Sequence, residues 1–355
     1  MGSEPISATA FLRAGQLRAE LALRNRLYAG SRPHVESYGG NPVVVYAPDD
    51  GRHGNFYPPA YAAIAAQPEW IRRFDKVHAQ GRSLPRPQID PTRKWRELDS
   101  CMSSDALLMN IFCSTEVTAS PSLRRAIGID TESGPLFGWK ARVPLKSGRF
   151  DRTEVDMRWG DLLVEAKLTE SDFQCREAPA VEAYRDLDEV FDRDLLPRIQ
   201  IRARRRREAV ELAEEFTQEW EPPCEGAEDV ARAFHAEIEA RADADQPWQP
   251  GYASYQLIRN VLAGYAGGAS FCVIHDERRP DLRESWFQVM SAVKSAEVRV
   301  RCMALTWQEI VPHLPEQLRD FLDVKYGIVA PGSSPLTIEQ LQARAHDQSK
   351  IGMRK

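Results

Sequence analysis

Between Arg152 and Leu168 the sequence RTEVDMRWGDLLVEAKL gathers three carboxylates and an ammonium: Glu154, Asp156, Glu165 and Lys167. Val155, Met157 and Trp159 alternate with Glu154, Asp156 and Arg158. After Gly160-Asp161, Leu162, Val164, Ala166 and Leu168 alternate with Leu163, Glu165 and Lys167. This period of two predicts a pair of strands joined by a tight turn. A two-residue loop would set Trp159 opposite Leu162, Asp156 opposite Glu165 and Glu154 opposite Lys167. The acids and the lysine then share one face, and the other face is apolar. Like charges directly across a strand pair destabilise it, whereas two carboxylates held together favour a divalent cation. Oxygen donors suit Mg2+ or Mn2+. A lysine two residues beyond the second acid can orient a water or offset charge building on a phosphate. The same spacing also fits a solvated polar face on which Arg158 and Lys167 neutralise the acids.

Asp156, followed by Glu165-Ala166-Lys167 after the apolar run Leu162-Leu163-Val164, resembles the D…(D/E)-x-K signature of the PD-(D/E)XK nucleases, the restriction-endonuclease-like superfamily. Val155 stands where that family often carries proline. The resemblance is tight over the hairpin and loose over residues 100–330. It implies an α/β core with the order α-β-β-β-α-β, a mixed central sheet flanked by helices, and a metal-dependent phosphodiesterase. Within that implied site Asp156, Glu165 and the backbone carbonyl of Ala166 would hold Mg2+ or Mn2+, and Lys167 would act on the water or the transition state. Glu154 and Glu116 would be accessory acids, Glu116 because an early helix of the family often supplies one. Gln256 resembles a glutamine that several members carry on a helix beside the metal. The substrate implied is nucleic acid, DNA before RNA, with endonuclease action and a role in defence or repair. A catalytically silent nucleic-acid-binding or scaffold subunit of the same fold is the alternative.

Length and composition set the frame. The chain has 355 residues, 43% hydrophobic and 28% charged, enough for one large or two ordinary cores. No stretch reads as a transmembrane helix, and the N-terminus lacks the pattern of a secretory signal. The six cysteines are scattered without a C-x-x-C, as expected of reduced thiols in the cytoplasm rather than a disulfide frame or a zinc site. A net charge of −5 does not announce a nucleic-acid binder, because phosphate contacts need local lysine and arginine. Arg204, Arg205, Arg206 and Arg207 offer such a cluster, although the glutamates that follow at helical spacing could equally balance it on a solvated helix. No phosphate-binding G-x-x-x-x-G-K-[ST] loop, dinucleotide fingerprint or G-x-S-x-G elbow is present.

The elements that must position the hairpin follow in order. Residues 1–95 read as a mostly helical N-terminal extension. Its pieces are a helix over Ile6–Leu27, a buried strand over Pro42–Tyr46 and helical segments between Pro58 and His78. The proline-rich stretch 80–93 marks a boundary. Residues 96–330 form the nuclease-like domain. It opens with a helix capped by Ser103 or Ser104 and running to Cys113, and a strand follows over Phe137–Leu145. The period then predicts a helix from Tyr255, ended by Gly267-Gly268, and a strand over Ser270–His275. Residues 176–250 read as a helical insertion, with helices over Ala180–Leu196, Ile199–Trp220 and Glu228–Ala242. It could serve substrate binding, and either it or the N-terminal extension could meet a second copy in a homodimer or a partner protein. A helix near Ser285–Lys294, a strand over Glu297–Leu305 and a helix opened by the Thr306–Glu309 capping box complete the domain. Residues 331–355 read as a tail with a short helix.

Overall fold

The computed structural model describes residues 7–352 except 31, 39–41, 79–83, 87–91, 153 and 203–246. Five strands make the central sheet: β1 (Leu136–Lys140), β2 (Glu154–Trp159), β3 (Leu162–Ala166), β4 (Ser270–His275) and β5 (Cys302–Thr306). Their spatial order is β5-β4-β3-β2-β1. The steps β1–β2 and β2–β3 are antiparallel, and β3–β4 and β4–β5 are parallel. The helices used below are α1 (Ser7–Ala29), α2 (Ser104–Phe112), α3 (Tyr255–Gly267), α4 (Pro280–Ser291) and α5 (Glu316–Tyr326). Parallel neighbours need crossovers, and α3 precedes β4 as α4 precedes β5.

Both faces of the sheet are covered, which is what the parallel half demands. On one face Met157, Trp159, Leu162, Val164, Cys272 and Ile274 pack with side chains of α1, α2 and α5. On the other Val155, Leu163, Phe271 and Val273 pack under α3 and α4. The first cluster also holds Leu17, Leu21, Phe56, Ile64 and Trp70. Side chains from before and after the proline-rich stretch 80–93 thus fill one core. Among the described residues no helix is long and apolar enough to cross a membrane.

Several expected elements form where the sequence placed them. Ser103 Oγ accepts the Ala106 amide at 3.1 Å and starts α2. α3 ends at Gly268, and β4 follows. Thr306 and Glu309 close their capping box. Others differ. The helix expected over Ala180–Leu196 is broken into Ala178–Glu182 and Leu187–Val190. Its apolar residues instead meet separate partners, since Leu145 bridges to Tyr184 and Phe191 to Val293. Ile199 does not begin a helix: Arg198–Arg202 is a strand. The rest of the Ile199–Trp220 helix, that over Glu228–Ala242, and Arg204 to Arg207 lie outside the described residues. The strand expected over Glu297–Leu305 is divided, with a helix over Ala296–Val300 and β5 beginning at Cys302. Ser295 is its cap, accepting the Val298 amide at 3.4 Å. The tail helix spans Ile338–Gly352, longer than expected.

Candidate active site

The hairpin has the register the alternation implies, with Trp159 opposite Leu162 and Met157 opposite Val164. Gly160 takes the turn at φ 61°, in the left-handed region that glycine enters freely. Beyond Met157 and Val164 no further β2–β3 pair forms, and the side chain of Asp156 takes over: its Oδ2 accepts the Ala166 amide at 2.8 Å. The carboxylate therefore sits where the two strands part. Next to it Lys167 Nζ donates to Glu165 Oε1 at 2.8 Å. Glu165 and Lys167 are both buried, so the solvated-face alternative does not hold for them.

The Glu165 side chain and the backbone on either side of the site are held from outside the hairpin. Asn260 on α3 donates from Nδ2 to Glu165 Oε2 at 2.8 Å. Its neighbour Arg259 donates to the Glu154 carbonyl at 2.8 Å and to Asn260 Oδ1 at 2.7 Å. The backbone of Lys167 is fixed on two sides: its amide donates to the Ile274 carbonyl at 2.8 Å, and its carbonyl accepts from Trp307 Nε1 at 2.9 Å. Its ammonium stands 5.6 Å from the ring centroid of Phe173. Glu170 caps the end of the strand, accepting from the Leu168 amide at 2.7 Å and from Ser104 Oγ at 2.6 Å.

A further acid and a cation arrive, neither of which the spacing of the sequence places at the site. Asp105, in the first turn of α2, is buried and pairs with Arg73 Nη2 at 2.7 Å. Arg73 reaches Glu154 Oε2 with its Nη1 at 2.6 Å. Glu154 is thus drawn to Arg73 and not to Lys167, and across the sheet it faces Lys140. Of the accessory acids, Glu116 is exposed on the short helix Thr115–Thr118, and no described contact joins it to the group. Gln256, one turn before Asn260 on α3, is half-buried, and its Oε1 is a buried acceptor with no hydrogen-bond partner among the described residues.

The electrostatics follow from this crowding. Burial, the Glu165 carboxylate and the Asp105 carboxylate raise the proton affinity of half-buried Asp156 well above the usual carboxylate range, with Lys167 and the Ala166 amide opposing them. Burial alone would lower the Lys167 pKa, but Glu165, Glu170 and Asp156 outweigh it and raise the value. Lys167 is therefore a fixed ammonium. Among the described residues no group of three or more histidine, cysteine, aspartate or glutamate side chains forms a ready-made metal cage.

No curated protein and no solved structure matches the chain. A family model described as "Restriction Endonuclease associating with ARP" matches residues 24–327, a span that includes Arg73, Asp105, the whole hairpin and α3. The chain belongs to that restriction-endonuclease family.

Proposed function

We propose that this chain is a divalent-metal-dependent nuclease that hydrolyses phosphodiester bonds of DNA, with its centre at Asp156, Glu165 and Lys167. One observation carries the reading: a buried Glu165–Lys167 pair stands beside a carboxylate whose proton affinity is raised by two other acids, at the point where a hairpin opens. The order α2, β1–β2–β3, α3, β4 agrees with the α-β-β-β-α-β core, and the family membership supports nuclease chemistry.

The donor set fits Mg2+ or Mn2+. Mg2+ is commonly held by one or two carboxylates and keeps several waters, and Asp156 and Glu165 offer two. Asp156, Glu165 and the Ala166 carbonyl would hold the ion, and its charge would relieve the repulsion now borne by Asp156. When bound, such an ion polarises a phosphate oxygen and lowers the pKa of a coordinated water. Lys167 holds its proton, so its part is to donate hydrogen bonds to the attacking water or to the phosphate oxygens. Asn260 and Arg259 keep Glu165 and the Glu154 backbone in place. Gln256 Oε1 offers an unused acceptor to a water at the same helix end. The family description adds an associating protein, ARP, and we infer that a partner of that kind regulates or targets the nuclease.

Supercoiled plasmid incubated with Mg2+, Mn2+ or EDTA tests the reading. The wild type should nick or linearise it only with metal. Lys167→Ala should lower the rate by about 10²-fold or more while melting as a folded protein. Full activity in Lys167→Ala would sink the assignment. Metal-independent DNA binding without cleavage would point to the silent subunit, and cleavage confined to RNA would replace the substrate.

A further inference from the structure

The segment Arg72–Asp75, a single 3-10 turn ahead of the proline-rich stretch, sends one side chain to the acids of the hairpin. Arg73 is buried, and its two Nη atoms meet different carboxylates. Nη2 donates to Asp105 Oδ2 at 2.7 Å, and Nη1 donates to Glu154 Oε2 at 2.6 Å. Lys76 Nζ adds a second donor to Asp105 Oδ2 at 3.2 Å. Burial works against the charge of the guanidinium, but Asp105, Asp156 and Glu154 outweigh it and raise its proton affinity. Asp156 in turn feels Glu165 and Asp105. Asp105, Glu154, Asp156 and Glu165 therefore share one electrostatic neighbourhood, and the first two already share one cation.

The fold is shaped to admit that cation. The guanidinium lies against Gly138, where a Cβ would stand 2.5 Å from Nη1. A buried carboxylate without a partner is costly, so Asp105 needs a positive charge in every state of the site. Arginine supplies one that no working pH removes, in a planar fork that can hold two carboxylates at once. Mg2+ and Mn2+ compete for the same kind of oxygen. An acid committed to a guanidinium is withdrawn from that competition. Asp156 and Glu165 are engaged differently, by the Ala166 amide, by Lys167 and by Asn260.

We propose that Arg73 is a resident cation that keeps Asp105 and Glu154 out of the divalent-metal site, so that the ion binds on Asp156 and Glu165 and the N-terminal segment sets its affinity. Arg73 is thus a positioning residue, acting through the two acids. The inference rests on the metal-dependent reading above, and it is measured by metal binding without DNA or cleavage. Mn2+ is titrated into the full chain and the unbound ion is read by electron paramagnetic resonance. The proteins compared are the wild type, Arg73→Met, Arg73→Lys and the double variant Arg73→Met, Asp105→Asn. Arg73→Met releases both acids and should bind Mn2+ about tenfold tighter or take up a further ion. Arg73→Lys keeps a cation and should stay close to the wild type, and Asp105→Asn should cancel most of the gain made by Arg73→Met. An Arg73→Met chain that does not fold in EDTA should regain a cooperative melting transition in Mn2+, because the ion replaces the missing charge. Equal affinity and equal numbers of ions in the wild type and Arg73→Met would overturn the proposal, as would a variant that stays unfolded in Mn2+. A wild type that binds no Mn2+ beside an Arg73→Met that does would overturn the metal assignment to Asp156 and Glu165 and leave the role of Arg73 standing. Mn2+ bound by neither protein would overturn both.

Discussion

At Asp156 burial and the carboxylates of Glu165 and Asp105 act in one direction, raising the proton affinity of the folded state above that of the unfolded chain. The sign of the pH dependence follows. A carboxylate with a raised folded pKa stabilises the fold while it is protonated, and that contribution is lost as pH rises through the raised value. In EDTA, Asp156→Asn should therefore melt higher than the wild type at neutral pH, by about 1 kcal/mol, and the gap should close toward acid. The asparagine keeps an oxygen for the Ala166 amide, so the strand junction survives. Cleavage should disappear in the same variant. A melting point at neutral pH below that of the wild type would show that Asp156 is satisfied as a carboxylate without metal, despite the crowding by Glu165 and Asp105.

Among the elements, β1 shows how the N-terminal segment enters the site. Gly138 has φ 63°, and a Cβ built on it would lie 2.5 Å from Arg73 Nη1 and 2.6 Å from Glu154 Oε2. The strand gives up a side chain there so that the guanidinium can pass to Glu154. Gly138→Ala combines left-handed strain with that overlap, and strain of this kind costs about 1–3 kcal/mol. Denaturant unfolding should report a loss of that size, and unchanged stability would mean that Arg73 has another route. This contact also marks the limit of what the sequence discloses. The hairpin, its turn and the α3–β4 pair were legible because alternation, glycine and helical period are local signals. Arg73, Asp105 and Glu154 meet only through packing of three distant segments, and no spacing rule joins them. The strand Arg198–Arg202 was misread because arginine followed by glutamate at helical spacing is a real helix signal. Its partner Trp248–Tyr252 lies far along the chain, and pairing overrode the local preference. The helix before β5 had a visible sign in Ser295, a capping residue that the apolar alternation of Val298 and Val300 concealed.

Across the whole molecule, α1 and α5 are tied through one buried cation, between residues 300 apart in the chain. Lys325 on α5 is fully buried, and its Nζ donates to Asn25 Oδ1 on α1. The ammonium lies 4.3 Å from the ring centroid of Tyr46, 5.2 Å from Tyr28 and 5.3 Å from Tyr326. Arg24 extends the seam, donating to the carbonyls of Asp323 at 3.0 Å and Leu336 at 2.8 Å. Desolvation brings Lys325 down to about 7, with Cys101 opposing and Arg32 adding to the shift. Because the unfolded chain keeps a lysine near its ordinary value, it binds this proton more tightly than the fold does between pH 7 and the usual lysine range. Stability should therefore rise with pH across that window, by at most about 1.4 kcal/mol per pH unit from this one group. Lys325→Met removes the titration but keeps a long apolar chain among the three rings, and Tyr46 still donates to Asn25 Oδ1 at 3.0 Å. Chemical denaturation at pH 7 and pH 9 should give a clear difference for the wild type and a smaller one for Lys325→Met, which should also be the more stable at pH 7. Equal pH dependence in the two proteins would mean that the aromatic cage keeps Lys325 charged in the fold, and that the seam between α1 and α5 is closed by a permanent cation.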